Sequence, residues 1–482
     1  MADKVQKVRL TPAKCHVDIG DGSERGPYVT PGYMLEKLGR PMHAVTLMYS
    51  YYPLDKGWPL RARDAFPEMT KDLDSAWGYP YDDYFPYMRG LGGDPKGEPY
   101  DIMRDVRMHG QDVCLTVTVD PFLPEEYMRA FAAELRPFGR MTLRINHEAT
   151  GNWFSFNKRA SYARVAEFFA EFTKIVHEEA SNVETVICLD GYKSEDTEKM
   201  EREDDFIPAI QAADIVSVDR YLALHWGWPY DMDMTEGRAF ARYDPAQIYR
   251  LCKKSAARYN LICGKKKKMI LSELNADALV VGPYEQAEIV RSFTDMIREE
   301  KDPWLTGFCL YQFRDECHLG LEAQVPGDES AGIEQPLMKT FKEIISDPFF
   351  SPAIVKDGET SLPAALRWTG SDDAEGVEIQ LHLDSDPVFL EAKFETPELK
   401  AMNLMIELGG KWFHKAPGAD TIDLMGAFFE GKVRASGDLK VRLFAPPQDG
   451  LNHPAGDDLL NEYVTLPALP TFRILYQPIA LG

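Results

Sequence analysis

Eight short β-branched runs, each followed by a stretch of helical periodicity, constrain the fold of this chain more than any other feature. The runs occupy residues 14–21, 43–52, 111–119, 140–148, 183–192, 213–221, 268–275 and 305–313. Between them lie amphipathic patterns. In residues 161–180 the apolar positions 165, 168, 169, 172, 175 and 176 keep helical spacing, with Ser161 placed to cap the start. Residues 244–260 and 284–300 behave alike. Near-continuously apolar strands that alternate with helices are parallel and buried on both faces, and eight such units predict a (β/α)8 TIM barrel. An open doubly wound sheet would carry a phosphate-binding glycine fingerprint after its first strand, which GDGSERG at 20–26 matches poorly.

The pattern changes from about residue 361. In GVEIQLHLD, Val377, Ile379, Leu381 and Leu383 alternate with polar residues, and GDLKVRLF and PTFRILYQ are also strand-like. The expected architecture is therefore α/β: a catalytic barrel over 1–350, followed by an antiparallel β-sandwich accessory domain over 361–482. With no aromatic cluster beyond Trp412 and Phe413, the second domain reads as a brace for the barrel rather than a sugar-binding module.

A formal net charge of −23 argues against nucleic acid and anionic membranes as partners. The one basic run, Lys265–Lys268, reads as a solvated loop. No apolar run reaches the ~20 residues of a membrane span, and the opening MADKVQKVRL lacks a secretory signal. A cytoplasmic location is expected as the sequence stands, or a secreted or periplasmic one if a leader has been removed. The seven cysteines, several within strand-like runs and without metal-ligand spacing, read as reduced core residues.

Active sites of such barrels lie at the C-terminal ends of the strands, so the polar residues closing each run are the informative ones. Glu148 closes the fourth run and Glu273 the seventh, across the barrel mouth from each other. Hydrolysis of a glycosidic bond needs such a pair: one neutral acid to protonate the leaving oxygen and one carboxylate to attack the anomeric carbon. A separation of roughly 5 to 5.5 Å between the two carboxyls gives retention of configuration. The Arg144 guanidinium is the right cation to hold a nucleophilic carboxylate ionised. His147 is a candidate donor to a sugar hydroxyl or to the second glutamate, and the Tyr221 phenol a candidate partner of Glu273. Sugars offer flat C–H faces to aromatic rings, and Trp153, Trp226, Trp228 and Phe313 all follow strand ends. The long connection after the second run adds Trp58, Phe66, Trp77, Tyr79, Tyr81, Tyr84, Phe85 and Tyr87.

The spacing Arg144-x-x-His147-Glu148-x-x-Gly151-x-Trp153-Phe154 resembles the acid/base motif of glycoside hydrolase family 26, the β-mannanase-rich family of clan A. The likeness extends to Asp219-x-Tyr221 after strand six and to Glu273 in ILSEL. It implies a retaining β-glycanase, with Glu148 as acid/base, Glu273 as nucleophile, and His147, Trp153 and Tyr221 as substrate-side partners. No metal or other cofactor is implied. Thr150 stands where the family usually has Asn, Leu274 where it has a small residue, and Gln312-Phe313 where Trp is expected. The glycan therefore stays open among β-mannan, β-1,4- or β-1,3-glucan and xylan. Rival readings are a non-catalytic glycan-binding protein on the same fold, and a lyase or metal-assisted hydrolase. Asp190, Asp219, Glu316 and His318 have no diagnostic metal-ligand spacing.

Overall fold

The computed structural model describes residues 4–20, 29–62, 85–225, 240–315, 318–429, 433, 436–454 and 459–477. The eight runs form strands β1 His16–Gly20, β2 Ala44–Tyr51, β3 Asp112–Val119, β4 Met141–Ile145, β5 Val183–Cys188, β6 Ile215–Tyr221, β7 Lys268–Asn275 and β8 Gly307–Leu310. Each pairs in parallel with its neighbour in sequence. Pairing of β1 with β2, Ile19 opposite Val45, closes the ring into a TIM barrel.

The periodic stretches are helices where the sequence predicts them. Ser161 caps helix Tyr162–Glu179 by accepting from the Arg164 N–H, and Asp244 caps Pro245–Cys263 through the Ala246 N–H. Phe168, Phe169 and Phe172 are fully buried along one face of the first of these helices. Each such side chain contributes about 1.5–3 kcal/mol by leaving water, so the apolar stripe rather than intrinsic propensity holds the helix on the barrel. Lys267 departs from the solvated-loop reading: it is buried, and its ammonium donates to the carbonyls of Gln211 and Ala213. No helix among the described residues is long and apolar enough to cross a membrane.

The second domain is built from antiparallel sheets. One runs in the order Ala353–Ser361, Lys4–Thr11, Asp373–Leu383, Gly437–Phe444, Leu404–Leu408, Lys411–Lys415, with Ala364–Gly370 and Glu462–Leu466 branching from it. The other comprises Thr421–Asp423, Pro387–Lys393 and Thr471–Tyr476. Leu366, Val377, Ile406 and Val441 of the first share a core with Leu390 and Ala392 of the second, the sandwich expected. Its boundary differs from the expected one. Residues 4–11, grouped with the barrel by the sequence reading, lie between two sandwich strands. Alternation is broken there by a register shift between Gln6 and Val8, which hides the strand pattern in the sequence.

The two domains are locked by charge as well as by packing. Asp112, at the start of β3, accepts from Arg107 at 2.7 Å, from Arg140 at 2.7 Å and from the Ser371 N–H at 3.2 Å. Arg140 also bonds Asp372 at 2.6 Å. Removing one member of a buried ion network strands the rest without partners. Asp112→Ala is expected to lower unfolding free energy by about 3–5 kcal/mol, read as a shifted urea midpoint. Trp412 is likewise part of the junction: it is buried against Phe444 with ring centroids 5.5 Å apart, and its backbone N–H donates to the Gly39 carbonyl at 2.8 Å.

Candidate active site

Barrel-facing side chains are unusually polar. Thr116 on β3, Arg144 on β4, Cys188 on β5, Ser217 and Asp219 on β6, and Ser272 on β7 meet inside the barrel and are all buried. Arg144 fills much of that space, donating from Nε to the Thr116 hydroxyl at 2.7 Å and from Nη1 to the Ser272 carbonyl at 3.3 Å. Ser272 Oγ lies 2.7 Å from Asp219 Oδ1 and 2.8 Å from Ser217 Oγ.

Above this layer β4 ends at Ile145, and the backbone turns through left-handed conformations at Asn146 (φ 55°) and Glu148 (φ 48°). Such conformations cost about 1–3 kcal/mol for a residue with a Cβ. Asn146 offsets part of the cost: its N–H donates to the Val117 carbonyl at 2.9 Å, and its Oδ1 accepts from the Val119 N–H at 2.7 Å. Glu148 is thereby carried to the mouth, partly exposed, while Arg144 stays beneath. The Trp153 indole N–H holds it, donating to Oε2 at 2.7 Å. Gly151 permits that contact, because a Cβ there would lie 2.6 Å from the indole ring.

Opposite, Glu273 follows a bulge. The pairing of β7 with β6 shifts register between Leu271 and Glu273, so both Ser272 and Glu273 turn inward, with Glu273 beside Asp219. Tyr221 donates its phenol to Glu273 Oε2 at 2.6 Å, and Arg144 Nη2 lies 3.9 Å from Oε1. His147 Nε2 is 3.0 Å from Glu273 Oε1 and 3.3 Å from Asp219 Oδ2. Burial and the Arg144 guanidinium push the His147 pKa down to about 3, against the pull of Asp219. The imidazole is therefore neutral, and with two carboxylate oxygens facing Nε2 its proton belongs on that atom.

Oxygens of Glu148 and Glu273 approach within 4.8 Å. Their surroundings differ. Glu148 is raised well above the ordinary carboxyl range by burial and by the charges of Asp219, Glu273 and Asp190, which the Trp153 hydrogen bond opposes. Glu273 is raised by burial too, but Arg144 and the Tyr221 hydroxyl pull it back. Burial thus favours the neutral form of both carboxyls, reinforced at Glu148 by its anionic neighbours and opposed at Glu273 by the Arg144 guanidinium and the Tyr221 hydroxyl.

Of the residues singled out from sequence, Glu148, Glu273, Arg144, His147, Trp153 and Tyr221 converge. Arg144 is 1% exposed, so it supports Glu273 from behind and offers no surface to a ligand. Phe313 is a correction: it is 0% exposed, edge-on to Tyr33 at 6.0 Å, with its N–H bonded to the Gly20 carbonyl. The chain folds back after β8, burying that ring, and Tyr311 instead stands edge-on to Tyr221 at 6.2 Å. Trp226 and Trp228 lie outside the described residues, as do Phe66, Trp77, Tyr79, Tyr81, Tyr84 and Glu316. Trp58 packs, its indole N–H bonding the Ser155 carbonyl at 3.1 Å and the Arg159 guanidinium lying 4.8 Å above the ring. Tyr87 is buried, whereas Phe85 is exposed. His318 lies 3.7 Å from Asp277, and Asp190 pairs with Lys193 at 2.9 Å.

No protein-family model and no curated protein matches the chain. Solved structures do resemble it at low identity. A modular endo-β-1,4-mannanase of family 26 from Cellulomonas fimi is 12% identical, with 94% of this chain and 93% of that one covered and a TM-score of 0.42. A family 26 β-mannanase from Bacteroides ovatus is 9% identical, covering 70% and 89%, with a TM-score of 0.40. A family 39 glycoside hydrolase from Bacteroides cellulosilyticus is 11% identical, covering 89% and 80%, with a TM-score of 0.43.

Proposed function

We propose that the protein is a retaining glycoside hydrolase acting on a β-linked glycan. The observation that carries this reading is the pair Glu148 and Glu273 at opposite strand ends, within 4.8 Å and in unequal electrostatic surroundings. So close an approach favours the shorter carboxyl separation of retaining pairs over the wider one that accommodates a water in inverting pairs. In the first step a Glu273 oxygen attacks the anomeric carbon while the glycosidic bond breaks, and Glu148 gives its proton to the departing oxygen. In the second, Glu148, now ionised, takes a proton from water, and that water's oxygen displaces Glu273 from the sugar. Two inversions leave the configuration unchanged.

Tyr221 and Arg144 keep Glu273 ionised between turnovers, and His147 orients it with a neutral N–H. Trp153 holds Glu148 and offers the remainder of its ring to the sugar. The candidate glycans are β-mannan, β-1,4- or β-1,3-glucan and xylan.

The test is product release from oligosaccharides of these types, followed by mass spectrometry and by NMR of the newly formed anomer. Cleavage with a β-anomer as first product supports the reading; an α-anomer overturns retention. Binding of an oligosaccharide without cleavage, equal in wild type, Glu148→Ala and Glu273→Ala, would make the protein a glycan-binding module instead. Tyr221→Phe removes one hydrogen bond to a charged acceptor, an interaction of about 1.5–3 kcal/mol, so kcat is expected to fall roughly 10- to 150-fold. Because that bond lowers the pKa of Glu273, the acid limb of the kcat/KM profile should move to higher pH in the variant.

A further inference from the structure

Two pairs of imidazoles meet where the barrel adjoins the sandwich, and the hydrolytic mechanism uses neither. At the barrel floor His16 opens β1 and His43 precedes β2, and their rings stack at 3.9 Å with planes 22° apart. His43 Nδ1 lies 2.7 Å from Asp18 Oδ1, and His16 Nε2 lies 3.8 Å from Oδ2 of the same carboxylate. The fit is close, since a Cβ at Gly307 would stand 2.1 Å from His16 Nε2. Asp372, in the turn between the sandwich strands Ala364–Gly370 and Asp373–Leu383, lines the same crevice as both rings.

The second pair spans the junction itself. His109 follows the barrel helix Tyr100–Met108, His414 lies on the sandwich strand Lys411–Lys415, and their ring centroids are 3.9 Å apart. His109 Nδ1 donates to the Asp105 carbonyl at 2.9 Å and lies 3.1 Å from its carboxylate. Asn403 donates its amide N–H to the carbonyls of Met108 and Pro447, which leaves its oxygen to accept from His414 Nε2 at 2.7 Å.

A further proton is costly in either pair. Around His16 and His43 stand the carboxylates of Asp18, Asp112 and Asp372 and the guanidiniums of Arg40 and Arg140. Asp18 is already bonded to His43, and Asp112 and Asp372 to Arg140. Around His414 stand His109, Asp105 and the Lys415 ammonium. Burial and His43 push the His16 pKa down to about 4, and burial and His109 push that of His414 down to about 3. His43, against its burial, is raised by Asp18.

We propose that the two pairs form an acid-operated joint: protonation of His16 and His414 sets each cation against a neighbouring imidazole and loosens the sandwich from the barrel floor, with both cores still folded. A histidine released from these contacts takes up a proton near pH 6.5, roughly its ordinary value. The closed joint binds fewer protons than the open one, so it weakens as pH falls from about 6.5 towards about 4. Ordinary carboxylates titrate at the lower end of that window.

The experiment follows hydrogen exchange of the full chain by mass spectrometry at about pH 7 and about pH 5, corrected for the intrinsic chemical rate. Expected is at least about tenfold faster exchange at the lower pH in segments 105–111, 369–372 and 411–415, with β4–β6 and the strand Gly437–Phe444 unchanged. His16→Phe keeps a ring in the stack and His414→Gln keeps a donor for Asn403; each should remove about tenfold of the acceleration. His382→Gln, which alters an exposed imidazole 2.7 Å from Asp438, should remove none. Equal acceleration in wild type and both folded variants would overturn the joint, as would no acceleration, or one shared by every segment. Should His16→Phe fail to fold at neutral pH, His414→Gln decides alone. Activity plays no part in the readout, so the joint stands or falls apart from the hydrolytic reading.

Discussion

Glu273→Gln will reduce hydrolysis by about 10⁴-fold or more, the loss typical of an absent nucleophile. The amide has nearly the shape of the carboxyl and can still accept from Tyr221, so the fold and the binding of substrate should persist. What disappears is the attacking oxygen with its charge, and with it the covalent glycosyl-enzyme. Glu273→Ala adds a positive test. The vacated space admits azide, which should attack the anomeric carbon directly and give a glycosyl azide of inverted configuration. A residue that merely braced the mouth would give no azide product.

The second large effect concerns Glu148. Glu148→Ala should lower the hydrolysis of glycans by about 10²–10⁴-fold, the usual contribution of general acid–base catalysis. Aryl glycosides with an acidic phenol as leaving group need no proton, so their first step should be nearly unimpaired and the glycosyl-enzyme should accumulate. Azide would then intercept that intermediate with retained configuration, opposite to the Glu273 variant. The pH profile separates the roles again. Glu148 is held well above the ordinary carboxyl range, so wild-type activity should fall on the alkaline side as it ionises. That limb should vanish in Glu148→Ala, while the acid limb, set by protonation of Glu273, remains. Exchange of these signatures between the two variants would reverse the assigned roles.

How much of this was legible in the sequence depended on periodicity. All eight barrel strands were, because each is a β-branched run bounded by helical spacing. Glu148 and Glu273 were legible because they close such runs. The inner polar layer was not. Thr116, Ser217 and Ser272 are small residues inside apolar-looking strands, and only the alternation of polar with apolar positions in DVCLTVTV and IVSVDRY signals a wet interior. Asp219 carried a stronger signal, a charge in mid-strand, but its place between His147 and Ser272 depends on which strands adjoin. Phe313 misled because an aromatic after a strand reads identically whether the chain continues over the mouth or folds back beneath it. The bulge at Ser272 and the left-handed turn at Glu148 depend on backbone geometry that no residue there announces.

The placement of residues 4–11 inside the sandwich sheet makes the barrel an insertion within the β-domain rather than a unit that precedes it. The host sheet cannot finish assembling until the strands beyond residue 350 have been made, long after its first strand has left the ribosome. Trimming the chain after the barrel would leave Lys4–Thr11 with both hydrogen-bonding edges bare, a ready template for strand-to-strand association. A soluble minimal barrel would therefore begin after Thr11 and lack both chain ends together.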